Sequence, residues 1–137
     1  MIWMSFLIWC LYSFIDGIRD SIFYHHYDHN IKKLFNEHIV FVIQRLIVSL
    51  TLCLISQNIW LLIPFVLSFS FIHNGSYYTS RHYLNKKTYN YDYLYKRKWF
   101  DQSTTSTSVF TKYMTPLVRI ILFLLSIGLL IMIDMFI

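Results

Sequence analysis

The apolar residues of this chain fall in four blocks, and nearly all of its charged residues lie between them. Residues 1–15 and 59–72 carry no charge, 39–55 hold one charged residue and 117–137 hold two. The whole chain of 137 residues is 56% hydrophobic, 20% aromatic and only 14% charged, whereas soluble domains carry about 25% charge. That pattern excludes an ordinary soluble domain. It predicts an all-α, polytopic membrane protein in one integral membrane domain. Four transmembrane helices are expected at about 1–22, 39–55, 59–73 and 117–137, with an aromatic and basic loop over 74–116.

The apolar blocks are short for their task. A hydrocarbon core is about 30 Å thick, while residues 1–15 would rise only about 22 Å as a helix. The first span must therefore draw in Asp16, Arg19 and Asp20, which with Phe23 follow i, i+3, i+4, i+7 spacing on one face. In the second span Arg45 follows His38 by two helical turns, about 10 Å below the interface. The third span is expected to be kinked by Pro64 and to end at Asn74-Gly75, a turn signal, which pulls His73 inward. Ser56, Gln57 and Asn58 form a tight turn, and Thr115-Pro116 reads as an N-cap and N1 pair. Cys10 and Cys53 sit in apolar segments as small hydrophobes. The first segment lacks a basic n-region and a small-residue cleavage site, so it reads as a retained span.

Orientation follows from the basic residues. With four spans, every Lys and Arg lies in the 16–38 and 74–116 loops or, for Arg45 and Arg119, in a span near that same side. The positive-inside rule then places both charged loops in the cytoplasm of a plasma or inner membrane.

The ionisable residues drawn inward form the candidate site. Asp16, Asp20, His38 and His73 are the expected acid/base groups, because a carboxylate can orient an imidazole for proton transfer. Arg19, Arg45 and Arg81 match phosphate oxygens with bidentate forks, and Tyr77 and Tyr78 can donate to the same oxygens. In a metal-assisted version His25, His29, His38 and His73 would ligate a divalent ion, zinc, iron or manganese, joined by Asp16 or Asp20. The run from His25 to His29, HHYDH, resembles the first histidine box of membrane-bound fatty-acid hydroxylases and desaturases. That resemblance covers five residues and implies a metal site; the chain contains no HxxHH box.

The segment YLNKKTYNYDYLYKRKWF fits either a small hairpin or a strip lying at the headgroup level. Its expected partners are membrane lipids, including anionic headgroups, and no nucleic acid. Self-association into a homo-oligomer is an open alternative. Function therefore divides into two classes: an enzyme or ligand-binding protein acting on a lipid or phosphate-bearing substrate at the cytoplasmic interface, or a non-enzymatic membrane protein, pore-forming and holin-like or an assembly scaffold. His38, Arg45 and His73 would matter most in the first class; packing positions such as Ser49, Ser68 and Gly128 would matter most in the second.

Overall fold

A computed structural model describes residues 1–26, 37–84 and 114–136, and among them every regular element is helical. Helix α1 spans Ile2–His26 and α2 spans Glu37–Ile55; a 3₁₀ turn, Ile59–Leu61, leads into α3, Leu62–Leu84; α4 spans Pro116–Phe136. Three helices, α1, α3 and α4, are long and apolar enough to cross a membrane, while the apolar part of α2, Ile39–Ile55, is shorter. Many bulky apolar side chains point outward, among them Leu11, Ile47, Val66 and Leu124. In water such a surface invites aggregation; in a bilayer it is the face that meets lipid, so the chain has integral-membrane character.

Polar contacts at one end of the bundle set the helix directions. Trp3 Nε1 donates to Asp134 Oδ2 at 2.9 Å, and the Ser5 and Ser56 hydroxyls bond to each other. The start of α1 and the ends of α2 and α4 therefore lie together. The core beside them contains Phe6, Trp9, Leu52, Cys53, Leu61, Phe65, Leu130 and Ile133. Trp9 anchors it by stacking on Phe65, with centroids 5.2 Å apart, and by donating its indole N–H to the Phe65 carbonyl at 2.8 Å.

The most extensive helix pairing is α1 with α3, and small residues permit it. Ser13, Gly17 and Ser21 recur at four-residue spacing on α1 and are buried, as are Ser68, Gly75 and Ser76 on α3. Small residues at this spacing let two helical backbones approach closely in lipid, where no hydrophobic force drives association. The serine hydroxyls are satisfied within their own helices: Ser13 donates to the Trp9 carbonyl, Ser21 to Ile18, Ser68 to Phe65 and Ser76 to His73.

Helix α3 departs from the sequence reading. It does not stop at Asn74-Gly75 but continues to Leu84. A mid-helix glycine costs only about 1 kcal/mol relative to alanine, and the close packing of His73, Ser76 and Tyr77 on Gly17 of α1 outweighs that local preference. Pro64 falls in the first turn of α3, after the 3₁₀ turn, where a missing N–H costs least. Gln57 takes the left-handed conformation, φ 54°, as Asn58 N–H reaches the Cys53 carbonyl and Gln57 N–H the Leu54 carbonyl. That is a Schellman stop, and Asn58 Oδ1 then caps the next turn by accepting from Trp60 N–H. Thr115 caps α4 as expected, its Oγ1 accepting from Val118 N–H at 3.2 Å. The aromatic strip at 85–100 and the hydroxyl-rich 101–108 lie outside the described residues.

Candidate functional site

Three helices place ionisable side chains at one depth. At 1.5 Å per residue, Asp16, Arg45 and His73 lie about 12–16 Å inside the ends of α1, α2 and α3 that join the 27–36 and 85–113 segments. Asp16 and Asp20 are one turn apart on the face of α1 that meets α3, and their side chains are 0% and 6% exposed. Arg45 reaches them from α2: its Nε lies 2.8 Å from Asp16 Oδ2 and its Nη2 lies 2.7 Å from Asp20 Oδ2. The same Nη2 is 3.2 Å from His73 Nε2 on α3. One guanidinium thus joins α1, α2 and α3.

The remaining partners close the network. His73 Nε2 is 3.1 Å from Asp20 Oδ2 and 3.5 Å from Asp16 Oδ2. Arg19 sits 2.6 Å from Asp16 Oδ1 and 2.9 Å from Asp20 Oδ1, and its Nη1 donates to Gln44 Oε1 at 2.7 Å. Aromatic rings form the walls. Arg19 lies over Phe41 at 4.5 Å and Arg45 over Phe69 at 4.8 Å, geometries that favour cations in a desolvated site. The His73 imidazole lies between the Phe69 ring, 4.8 Å away, and the Tyr77 ring, 6.3 Å away.

Two carboxylates therefore face two guanidiniums, and the cluster is charge-balanced when His73 is neutral. That balance is what permits such groups at membrane depth, where each isolated charge costs about 3 kcal/mol on insertion scales. The arrangement sets a carboxylate–imidazole pair, Asp20 and His73, beside two guanidiniums that are paired with the carboxylates. One ligand atom each from Asp16, Asp20 and His73 also lies within 4.8 Å of the others, a spacing one divalent ion could bridge. Arg45 already holds the Oδ2 atoms of both carboxylates, so an ion entering there must displace its guanidinium.

Of the residues singled out in the sequence, Asp16, Arg19, Asp20, Arg45 and His73 come together. Tyr77 joins them through its stack on His73, and Arg81 follows one turn later, 5.9 Å from the Tyr77 ring centre. Tyr78 is buried and packs edge-on against Tyr77, with ring centroids 5.0 Å apart. His25 stands in the last turn of α1 and His38 in the first turn of α2; their side chains and the whole of His29 lie outside what the structure describes. Ser49 and Ser68 are buried packing positions, whereas a side chain at Gly128 would meet nothing within 4 Å.

The sequence reading gave Gln44, Phe41 and Phe69 no place in the site, nor Asn74 and Arg119, which it read only as a turn signal and an orientation marker. Arg119 is 1% exposed near the start of α4, and Asn74 Oδ1, turned toward it, accepts from Nη1 at 3.0 Å and Nη2 at 2.9 Å. The available signal was an arginine near the start of a helix whose one other charged residue, Asp134, lies near the far end. The spacing Ser13-x3-Gly17-x3-Ser21 was another, and it marks the face of α1 that carries Asp16 and Asp20. No protein-family model matches the chain, and neither the curated proteins nor the solved structures yield a match.

Proposed function

We propose that this is a four-span protein of the plasma or inner membrane, with its charged loops cytoplasmic, whose buried network is a working site for a lipid or other phosphate-bearing amphiphile. The crossing of α2 is supported by its hairpin with α3 and by the Ser5–Ser56 contact, which brings its end level with the start of α1. In this reading the phosphate enters beside Arg19, the most exposed member of the cluster at 37%. Arg19 and Arg45 turn from the carboxylates to the phosphate oxygens, and His73 with Asp20 exchanges a proton with the reacting group.

The observation that carries the proposal is the triple contact of Arg45 with Asp16, Asp20 and His73. Packing of α1 on α3 does not require it, because Ser13, Gly17 and Ser21 already bring those two helices together. Four charged side chains together cost on the order of 10 kcal/mol to insert before they pair. Buried ion pairs replaced by apolar residues often leave stability unchanged or raised. Retaining them points to use beyond cohesion.

The test is turnover in proteoliposomes of phosphatidylglycerol and phosphatidylethanolamine, followed by mass spectrometry. Wild-type protein should alter one phosphate-bearing species, and His73→Gln should slow that change about 100-fold or more while inserting to the same level. A wild-type protein that alters no lipid species contradicts the enzymatic reading. One observation favours a second class: the network is closed upon itself, as a structural clasp in a scaffold or pore would be. A clasp predicts that the same His73→Gln protein loses helix association rather than turnover.

A further inference from the structure

Asn74 and Arg119 lie just outside the carboxylate cluster, yet they bear on its chemistry through His73. Arg119 offers only N–H donors, so the Asn74 amide must present its oxygen to Nη1 and Nη2, at 3.0 and 2.9 Å. An amide has one accepting end. Its other end, which is then the NH₂ group, lies 3.3 Å from His73 Nδ1. That group can only donate, so Nδ1 must accept and hold the ring's lone pair. A neutral imidazole with its lone pair on Nδ1 carries its proton on Nε2. Nε2 in turn faces two acceptors, Asp20 Oδ2 at 3.1 Å and Asp16 Oδ2 at 3.5 Å. One neighbour competes: Arg45 Nη2, 3.2 Å from Nε2 and itself only a donor, would bond to a bare Nε2, so with the proton on Nε2 its hydrogens must be directed to Asp20 Oδ2 instead.

We propose that Asn74 and Arg119 are positioning residues that fix the His73 tautomer, with the proton on Nε2 and directed at the Asp16–Asp20 pair. The proposal rests on His73 being the acid/base group of the site described above, and it adds which nitrogen exchanges the proton. It also ties α4 to that chemistry, since Arg119 is contributed by α4 and Asn74 by α3. A consequence follows for cations. Nε2 is a donor in this state, so binding of a divalent ion at Asp16, Asp20 and His73 requires the tautomer to invert as well as Arg45 to leave.

The test is ¹⁵N magnetic resonance of the full chain, labelled at histidine and held in lipid bilayers, with the His73 signals assigned by their loss in His73→Gln. The wild-type ring should show a bare, pyridine-type Nδ1 and a proton-bearing, pyrrole-type Nε2. In Asn74→Asp the side chain facing Nδ1 offers only acceptors, so the Nδ1 resonance should shift to the proton-bearing type. A wild-type Nδ1 that already carries the proton overturns the proposal, as does an Asn74→Asp spectrum unchanged from wild type. The wild-type spectrum alone decides the tautomer if the variant fails to fold. Because the measurement reads the ring and not turnover, it can fail while lipid turnover stands, or hold while turnover is absent.

Discussion

At Gly17 the absence of a side chain is a packing requirement. A Cβ built there would run into Ser76 Oγ and the His73 carbonyl oxygen, and would sit 3.1 Å from Tyr77 N. The serine could turn aside, but the backbone atoms belong to α3 and can move only with it. Those atoms flank His73, so Gly17 sets how closely the imidazole approaches the carboxylates one residue before it and three after. Gly17→Ala should therefore destabilise the fold by about 1–3 kcal/mol through overpacking, despite alanine's better helix propensity, read as a lower thermal midpoint in detergent. Adding Ser76→Ala should restore only part of the loss, because the carbonyl clash remains. A Gly17→Ala protein as stable as wild type would show that α1 and α3 are not in this close register.

At the scale of elements, α2 is the informative helix. It touches α1 and α3 more sparsely than α1 and α3 touch each other, and its outer face, including Val42, Ile43, Leu46 and Ile47, is exposed. Its hold on the bundle near the site is ionic and aromatic: Arg45 on Asp16 and Asp20, Gln44 on Arg19, and Phe41 edge-on to Phe23 at 5.8 Å. If α2 crosses the membrane, Asn30→Cys and Gln57→Cys should react with an impermeant maleimide from opposite sides, with Gln57→Cys the one labelled in intact cells. Labelling of both from the same side would leave α2 at the interface. The sequence made the meeting of Asp16, Asp20, Arg45 and His73 legible because Asp16, Asp20 and His73 border apolar runs too short to cross alone and Arg45 lies two turns inside another. The end of α3 was misread for a different reason: the turn tendency of Asn74-Gly75 is local, whereas its suppression comes from Gly17 and Ser76, nearly sixty residues apart in the chain. Pairings such as Asn74 with Arg119 depend on the rotation of each helix about its axis, which composition and spacing do not define.

Across the whole molecule, apolar packing and charge are divided between the two ends. One end holds the stacked core of Phe6, Trp9 and Phe65; deeper toward the loops, the cohesion passes to small residues and to a balanced set of two carboxylates, two guanidiniums and one imidazole. Such a balance makes each member intolerable alone and tolerable in pairs. Breaking a buried pair strands a charge, at about 3–5 kcal/mol, whereas removing both partners is close to neutral. Asp20 and Arg45 are the pair to test, because their removal leaves Asp16 and Arg19 to neutralise each other at 2.6 Å. The most direct measurement is a double-mutant cycle of unfolding free energy in bilayers with Asp20→Leu and Arg45→Met. Each single substitution should destabilise by about 3–5 kcal/mol and the double variant should return to within about 1 kcal/mol of wild type; a double variant that loses the sum of the two single effects would contradict the meeting of α1 and α2 at this site.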